Sequence, residues 1–283
     1  MTEQKQQWTE IIQPKTALLN IPLRDVWQYR DLLFLLVKRD FVSYYKQTIL
    51  GPIWFFIQPV LTTLIFAIVF GNIAKIGTDG IPMFIFYLSG ITLWNYFSDS
   101  LNKTATVFKD NANLFGKVYF PRLILPLSIV VSNLIKLGIQ LLLFMGVWIY
   151  YFISTNSIQP NVYALLLPLL IIVIGLQALG FGMIISSLTS KYRDLIFLLS
   201  FSVQLWMYAT PVIYPLSSIP EKYKWFVNAN PVTPVIEIFR YGFLGRGEFS
   251  TASIIYCLLF TLFILATGTI IFNKVEKNFM DTV

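Results

Sequence analysis

From Leu137 to Ser190 the chain carries no charged residue, and Ile254 to Phe272 carries none either. That is too much uninterrupted apolar chain for a soluble core, whereas about 20 apolar residues suffice to cross a bilayer as a helix. The first stretch is long enough to cross twice, with a turn at the polar run Ser154 to Asn161. The chain therefore reads as an integral membrane protein.

Charge and residue usage narrow the function classes. Charged residues are 12% of 283 positions and apolar ones 56%, against about a quarter charged in a globular domain. The net charge of +7 does not point to nucleic acid, because the Lys and Arg residues lie mostly in the gaps between apolar runs, as positively charged cytoplasmic loops do. One cysteine, Cys257, excludes an intramolecular disulfide and a paired-cysteine metal site, and the absence of histidine excludes His-based catalysis and His–metal chemistry. No basic start followed by a short apolar core and a small-residue cleavage site stands in the first fifty residues, so no cleavable signal peptide is expected.

An all-α membrane fold with six transmembrane helices is expected: Pro52 to Phe70, Pro82 to Phe97, Leu123 to Phe152, Val162 to Leu188, Leu195 to Tyr214 and Ala252 to Phe272. Fifteen basic residues fall in the segments on one side of these spans and five (Lys75, Lys222, Lys224, Arg240, Arg246) on the other, with Lys136 inside a span. Both termini should therefore be cytoplasmic. Three parts follow: residues 1–51 as a cytoplasmic N-terminal segment, 52–272 as a transmembrane domain and 273–283 as a cytoplasmic tail.

Ahead of the first span, Arg24 to Gln47 reads as an amphipathic helix lying along the inner membrane surface. Arg24, Asp31 and Lys38 recur every seven residues on one side, and Trp27, Leu33, Phe34, Val37, Phe41 and Tyr44 occupy the other. The connection from Pro215 to Ser250 is broken by Pro220, Pro231 and Pro234 yet partly apolar. It predicts either short re-entrant helices dipping into the outer leaflet before the last span or a small extracellular cap.

Nothing in the chain can hydrolyse ATP. Gly116-Lys117 is followed by Val118, and Asn111 stands where a phosphate loop needs its upstream glycine. Ion-coupled carriers place acidic residues within spans, but the buried ionisable group expected here is Lys136. The energy source is therefore expected in a partner, docking on the gap from Asp99 to Arg122. There Lys103 and Lys109 supply charge, and Val107, Phe108, Leu114 and Phe115 supply apolar anchors for a groove in a soluble subunit; the alternative is a solvated connection.

Ser128, Ser132, Lys136 and Gln140 recur every four residues in the third span with Asn133 alongside, a polar stripe on one face of an apolar helix. Asn133, Lys136 and Gln140 are candidates for lining a hydrophilic path. Hydrogen bonding to another helix explains the Ser and Asn residues equally well, and Lys136 could instead snorkel or hold a structural partner. Ala178, Gly182 and Ser186 form a small-residue stripe suited to close helix packing. Trp54, Trp94, Tyr96, Trp148, Tyr150, Tyr151, Trp206, Tyr208 and Tyr214 stand near span ends, where most fit interfacial belts.

Three segments in order, YKQTILGPIWFFIQP (Tyr45 to Pro59), KYRDL (Lys191 to Leu195) and TPVIYPLSSIPEKYKWFVNANPVTPVIEIFRYGFLG (Thr210 to Gly245), resemble the ABC-2 type permeases that export bacterial cell-surface polysaccharides. The likeness is to the Wzm-like O-antigen and the teichoic acid export permeases. The resemblance implies a homodimer in the bacterial inner membrane, paired with two copies of an ATP-binding cassette subunit that holds ATP and magnesium, this chain holding no cofactor. It also implies a polymer cargo on an undecaprenyl diphosphate carrier, with membrane lipid around it. On that view Lys38, Arg39 and Lys46 are candidates for meeting the diphosphate at the inner surface, beside a plain role as positive-inside anchors. Two other readings stay open: an ABC-2 permease for a small lipophilic compound, and a membrane-embedded glycosyl transferase.

Overall fold

The structure, a computed structural model, describes residues 23–46, 49–112, 120–155, 158–192, 194–248 and 250–279. Among these residues the secondary structure is helical throughout, with no strand. The helices are α1 (Leu23–Gln28), α2 (Arg30–Tyr45), α3 (Trp54–Phe66), α4 (Met83–Ala105), α5 (Val107–Asp110), α6 (Ile124–Ser154), α7 (Leu167–Thr189), α8 (Leu195–Tyr208), α9 (Glu221–Asn228), α10 (Thr233–Leu244) and α11 (Thr251–Phe279). A 3-10 turn at Gly51–Ile53 and a π-helical turn at Ala67–Ile73 extend α3 at its two ends.

Four helical segments are long and apolar enough to cross a membrane: Gly51–Ile73, Ile124–Ser154, Val162–Thr189 and Thr251–Val275. They coincide with the first, third, fourth and sixth expected spans. The fifth differs, because α8 stops at Tyr208 after 14 residues, which is about 21 Å of helix against about 30 Å of hydrocarbon. The apolar run continues to Tyr214, but the chain has left the helix ahead of Pro211, and neither Pro211 nor Pro215 can donate to a preceding turn.

The second expected span is α4, which starts at Met83 and runs to Ala105, well past Phe97. It is the middle of the molecule, packing against α3, α6, α7, α8 and α10. Its buried residues include Ser89, Thr92, Ser100 and Thr104 beside Ile85, Leu88, Leu93 and Leu101. A helix sheathed by other helices can carry hydroxyls that a lipid-facing helix would not, which is why its sequence is the least apolar of the long helices.

Backbone contact holds the other long helices. A Cβ on Gly268 of α11 would lie 2.6 Å from the carbonyl oxygen of Gly180 in α7, and one on Gly182 would lie 2.5 Å from the Thr104 Cβ in α4. Small residues let helices approach until dispersion and main-chain contacts replace side-chain interdigitation. The small-residue stripe of α7 thus does pack: Ala178 and Ser186 are fully buried. Gln177 on the same helix donates to the Pro231 carbonyl at 3.1 Å and to Thr261 Oγ1 at 3.1 Å, tying α7 to α11 and to the entry of α10.

Several aromatics expected at the membrane boundary are interior. Trp94 and Tyr96 are each 4% exposed. Trp206 meets Phe97 and Phe181 edge-to-face at 5.2 and 5.0 Å, a geometry favoured by the ring quadrupole. Trp54, Tyr150 and Tyr208 are exposed.

Candidate functional site

The polar residues of α4 fall into two groups, each joined to a different set of neighbours. Toward its C-terminal end Asp99, Ser100 and Lys103 share one side of the helix. Asp99 Oδ2 pairs with Lys136 Nζ of α6 at 2.6 Å. Lys103 Nζ donates to Asn133 Oδ1 at 3.2 Å, and Asn133 Nδ2 donates to Ser100 Oγ at 3.2 Å. Spacings of four on α4 and three on α6 put these groups level, so two helix turns are laced by charged and amide bonds. Ser132 extends the group to α2 by donating to Asp40 Oδ2 at 3.4 Å, and Arg39 pairs with the same carboxylate at 2.8 Å. The Lys136 ammonium also lies 5.9 Å from the ring centroid of Phe55 in α3. Four helices therefore meet at one polar junction.

The candidates for lining a path are enclosed by the subunit's own helices. Asn133 and Gln140 are 2% and 1% exposed, so the face they occupy is turned to neighbouring helices. Lys136 has a structural partner in Asp99. An ammonium in hydrocarbon costs about 3 kcal/mol on insertion scales, and a carboxylate at hydrogen-bond distance offsets that where a lone lysine would have to snorkel.

The expected docking segment also turns inward. Val107 is fully buried and Phe108 is 1% exposed, with its ring stacked 4.7 Å from Phe272 of α11 at 22°. These two side chains are core, which corrects the expectation that they stand out as anchors; the four-residue helix α5 is too short to be two-faced, and its apolar pair closes the gap between α4 and α11. Lys109 and Asp110 are its exposed residues. Leu114 and Phe115 lie outside the described residues.

Helices α1 and α2, which meet at Tyr29, depart from the two-sided pattern read for one helix over Arg24 to Gln47. Val26, Tyr29, Leu33 and Leu36 pack on the core, chiefly against α6, following the 3-4 spacing of a helix seam. Trp27, Phe34 and Leu35 are 71%, 63% and 63% exposed, on the outward side with Lys38 and Arg39. Lys46, just beyond the helix, is exposed as well. Apolar side chains thus occur both toward the protein and away from it, with cations beside the outward ones.

The second polar group, at the N-terminal end of α4, escaped the sequence reading. Arg240 and Glu237 of α10 are 1% and 3% exposed and pair at 3.5 Å. Arg240 Nε donates to Ser89 Oγ at 3.2 Å, Nη2 to the Val212 carbonyl at 2.8 Å, and Nη1 to the Pro211 carbonyl. Its guanidinium carbon lies 3.8 Å from the centroid of the Phe86 ring. Glu237 Oε2 accepts the Glu248 amide at 3.0 Å. The signal available in the sequence was an acid and a base three apart within the otherwise apolar helix Val235 to Leu244, not two isolated loop charges. The remaining ties of α10 run to α6, where Trp148 Nε1 donates to the Phe243 carbonyl at 2.8 Å, and to the turn before α7, where Asn161 Nδ2 donates to the Tyr241 carbonyl at 2.8 Å.

A bundle of long apolar helices, with the buried pair Arg240–Glu237 and the part-buried pair Lys136–Asp99 drawn into helix-to-helix junctions and four segments long enough to cross a bilayer, defines a multi-pass membrane protein. The description "ABC-2 type transporter" matches residues 31–244, and the chain belongs to that family. An O-antigen export system permease of Myxococcus xanthus is 27% identical over 92% of this chain and 98% of its own length. One from Klebsiella pneumoniae is 30% identical over 89% and 94%. A polysialic acid transport protein of Escherichia coli is 26% identical over 82% and 89%.

Proposed function

We propose that this chain is the membrane permease subunit that exports a lipid-linked cell-surface polysaccharide across the bacterial inner membrane, driven by a separate ATP-binding subunit. One observation carries the reading: near full-length similarity to permeases named for O-antigen export, with a polysialic acid transport protein alongside. In the proposed assembly two copies of the chain pair with two ATP-binding subunits, and ATP and magnesium reside in the latter. The polymer, on an undecaprenyl diphosphate carrier, passes between the two copies.

In this arrangement the four long apolar helices are joined as spans by α4, whose 23 residues reach about 35 Å, and by α8 with the irregular chain after it. Helices α9 and α10 then re-enter the outer leaflet. Residues Thr210 to Ile213 are buried in protein, as non-helical backbone at membrane depth must be. Both termini lie in the cytoplasm on the excess of basic residues there. Helices α1 and α2 rest at the inner surface, with outward Trp27 and Phe34 in the headgroup boundary and Lys38, Arg39 and Lys46 facing lipid phosphate or the carrier's diphosphate. The segment from Lys103 onward, with exposed Lys109, meets the ATP-binding subunit.

The deciding test is deletion of the gene with tracking of polymer. Polymer accumulating inside the cell, restored to the surface by this chain only when the ATP-binding subunit is intact, is the expected result. Normal surface polymer combined with new sensitivity to lipophilic drugs would replace it with the small-compound reading. Glycosyl transfer by the purified chain would replace it with the transferase reading.

A further inference from the structure

Arg240 reaches three separate elements from one side chain. Its donors go to Ser89 on α4, to the Pro211 and Val212 carbonyls just past the end of α8, and to Glu237 on its own helix. The two carbonyls belong to backbone that has left the helix, where the amides of a further turn are missing and a cation is favoured by the helix dipole. A planar guanidinium addresses both at once and stacks on Phe86 as well; an ammonium cannot. The fit is tight, since a Cβ on Gly90 would stand 2.9 Å from Nη2 and 3.1 Å from the Val212 backbone. Burying a charge pair here is costly compared with apolar residues of the same size. What the pair adds is direction, because its bonds lead to two other helices.

Helix α4 connects this socket to the opposite end of the molecule. No proline interrupts Met83 to Ala105, and the helix from Ser89 to Lys103 runs continuously for about 21 Å. Beyond Lys103 the chain enters α5, held by Phe108 against Phe272. A stiff rod therefore has the segment proposed to meet the ATP-binding subunit at one end and the Arg240 socket at the other.

We propose that Arg240 is a positioning residue that makes α10 and the broken end of α8 travel with α4, so that a movement imposed at the docking segment is delivered to the far side; the inference rests on the transport function proposed above. The test uses the complete complex with its ATP-binding subunit in proteoliposomes, with Cys257→Ser as background. Single thiols are introduced by Asp110→Cys, an exposed position, or by Val212→Cys, a buried one. A small membrane-permeant maleimide, which reaches both faces of the vesicle, then reads each with and without ATP plus vanadate. In the otherwise native chain both thiols change labelling rate on nucleotide trapping, position 212 by about tenfold, as an opening equilibrium shifts protection. Arg240→Gln and Arg240→Lys keep the response at 110 and lose it at 212. Where Arg240→Gln fails to accumulate, Gly90→Ala, which crowds the guanidinium and retains its charge, carries the same expectation. A response at 212 that survives these substitutions, or a native complex that responds at 110 and not at 212, overturns the link. No response at either position overturns the transport reading first and the link with it.

Discussion

Replacing Asp99 by asparagine leaves the Lys136 ammonium in place and removes the charge that sits 2.6 Å from it. Losing one partner of a fully buried pair costs about 3–5 kcal/mol, and losing one from an exposed pair about 0–1 kcal/mol. The Lys136 and Asp99 side chains are 15% and 33% exposed, so Asp99→Asn falls between, at about 2 kcal/mol or a 30-fold shift in the folding equilibrium. Lys136→Met should cost less, about 1 kcal/mol, because the remaining carboxylate already reaches the surface and the new side chain suits an apolar helix. Exchanging the two residues, Asp99→Lys with Lys136→Asp, should recover at least half of the summed loss, since attraction between α4 and α6 does not depend on which helix holds which sign. Reversible unfolding of the purified protein in mixed detergent micelles measures the native chain, the two single variants and the exchange variant side by side. A loss below about 0.5 kcal/mol for Asp99→Asn, the range of ordinary surface substitutions, or an exchange variant as unstable as the two singles combined, would refute the claim that this pair joins the helices.

The stacked ring of Phe108 makes Phe108→Ala destabilising by about 3 kcal/mol in the same unfolding assay, whereas Lys109→Ala, one residue on, should leave stability within about 0.5 kcal/mol and weaken co-purification with the ATP-binding subunit. Gly268→Leu should separate α7 from α11 and prevent accumulation of folded protein, seen as loss of the monodisperse gel-filtration peak, because even a Cβ there would meet the Gly180 carbonyl oxygen at 2.6 Å. Neutralising Lys38 and Lys46 together should lower affinity of the α2 peptide for vesicles containing anionic lipid by about 1 kcal/mol per charge, an effect erased at 1 M salt where the screening length is about 3 Å. Equal binding at low salt by the neutral peptide would remove α2 from the lipid surface.

The parts of this fold that were legible in the sequence are those where lipid itself imposes the pattern. Gly51–Ile73, Ile124–Ser154, Val162–Thr189 and Thr251–Val275 must be apolar over a bilayer's depth whatever they touch, so a run of uncharged residues is sufficient to find them. Helix α4 obeys no such rule. With Ser89, Thr92, Ser100 and Thr104 all buried among other helices, its polarity answers to partners distant in sequence, and a reading by hydropathy ended it at Phe97, two residues before the Asp99 that proves to hold Lys136. The same limit explains Phe108, which resembles an exposed anchor when only its charged neighbours Lys109 and Asp110 are in view, and becomes core once Phe272 arrives from the far end of the chain. Arg240 is the sharpest case: counted with the loop cations it looks like a marker of sidedness, yet its 1% exposure and its bonds to residues some 150 positions earlier turn it into a joint. The expectation of cytoplasmic termini does not rest on Arg240, because without it the sequence still has four basic residues on one side of the spans against fifteen on the other. What the change adds is direction for α10, since Ile236, Phe239 and Leu244 bury that short helix without choosing its neighbours, whereas the bonds of Arg240 tie it to α4 and to the chain past the end of α8.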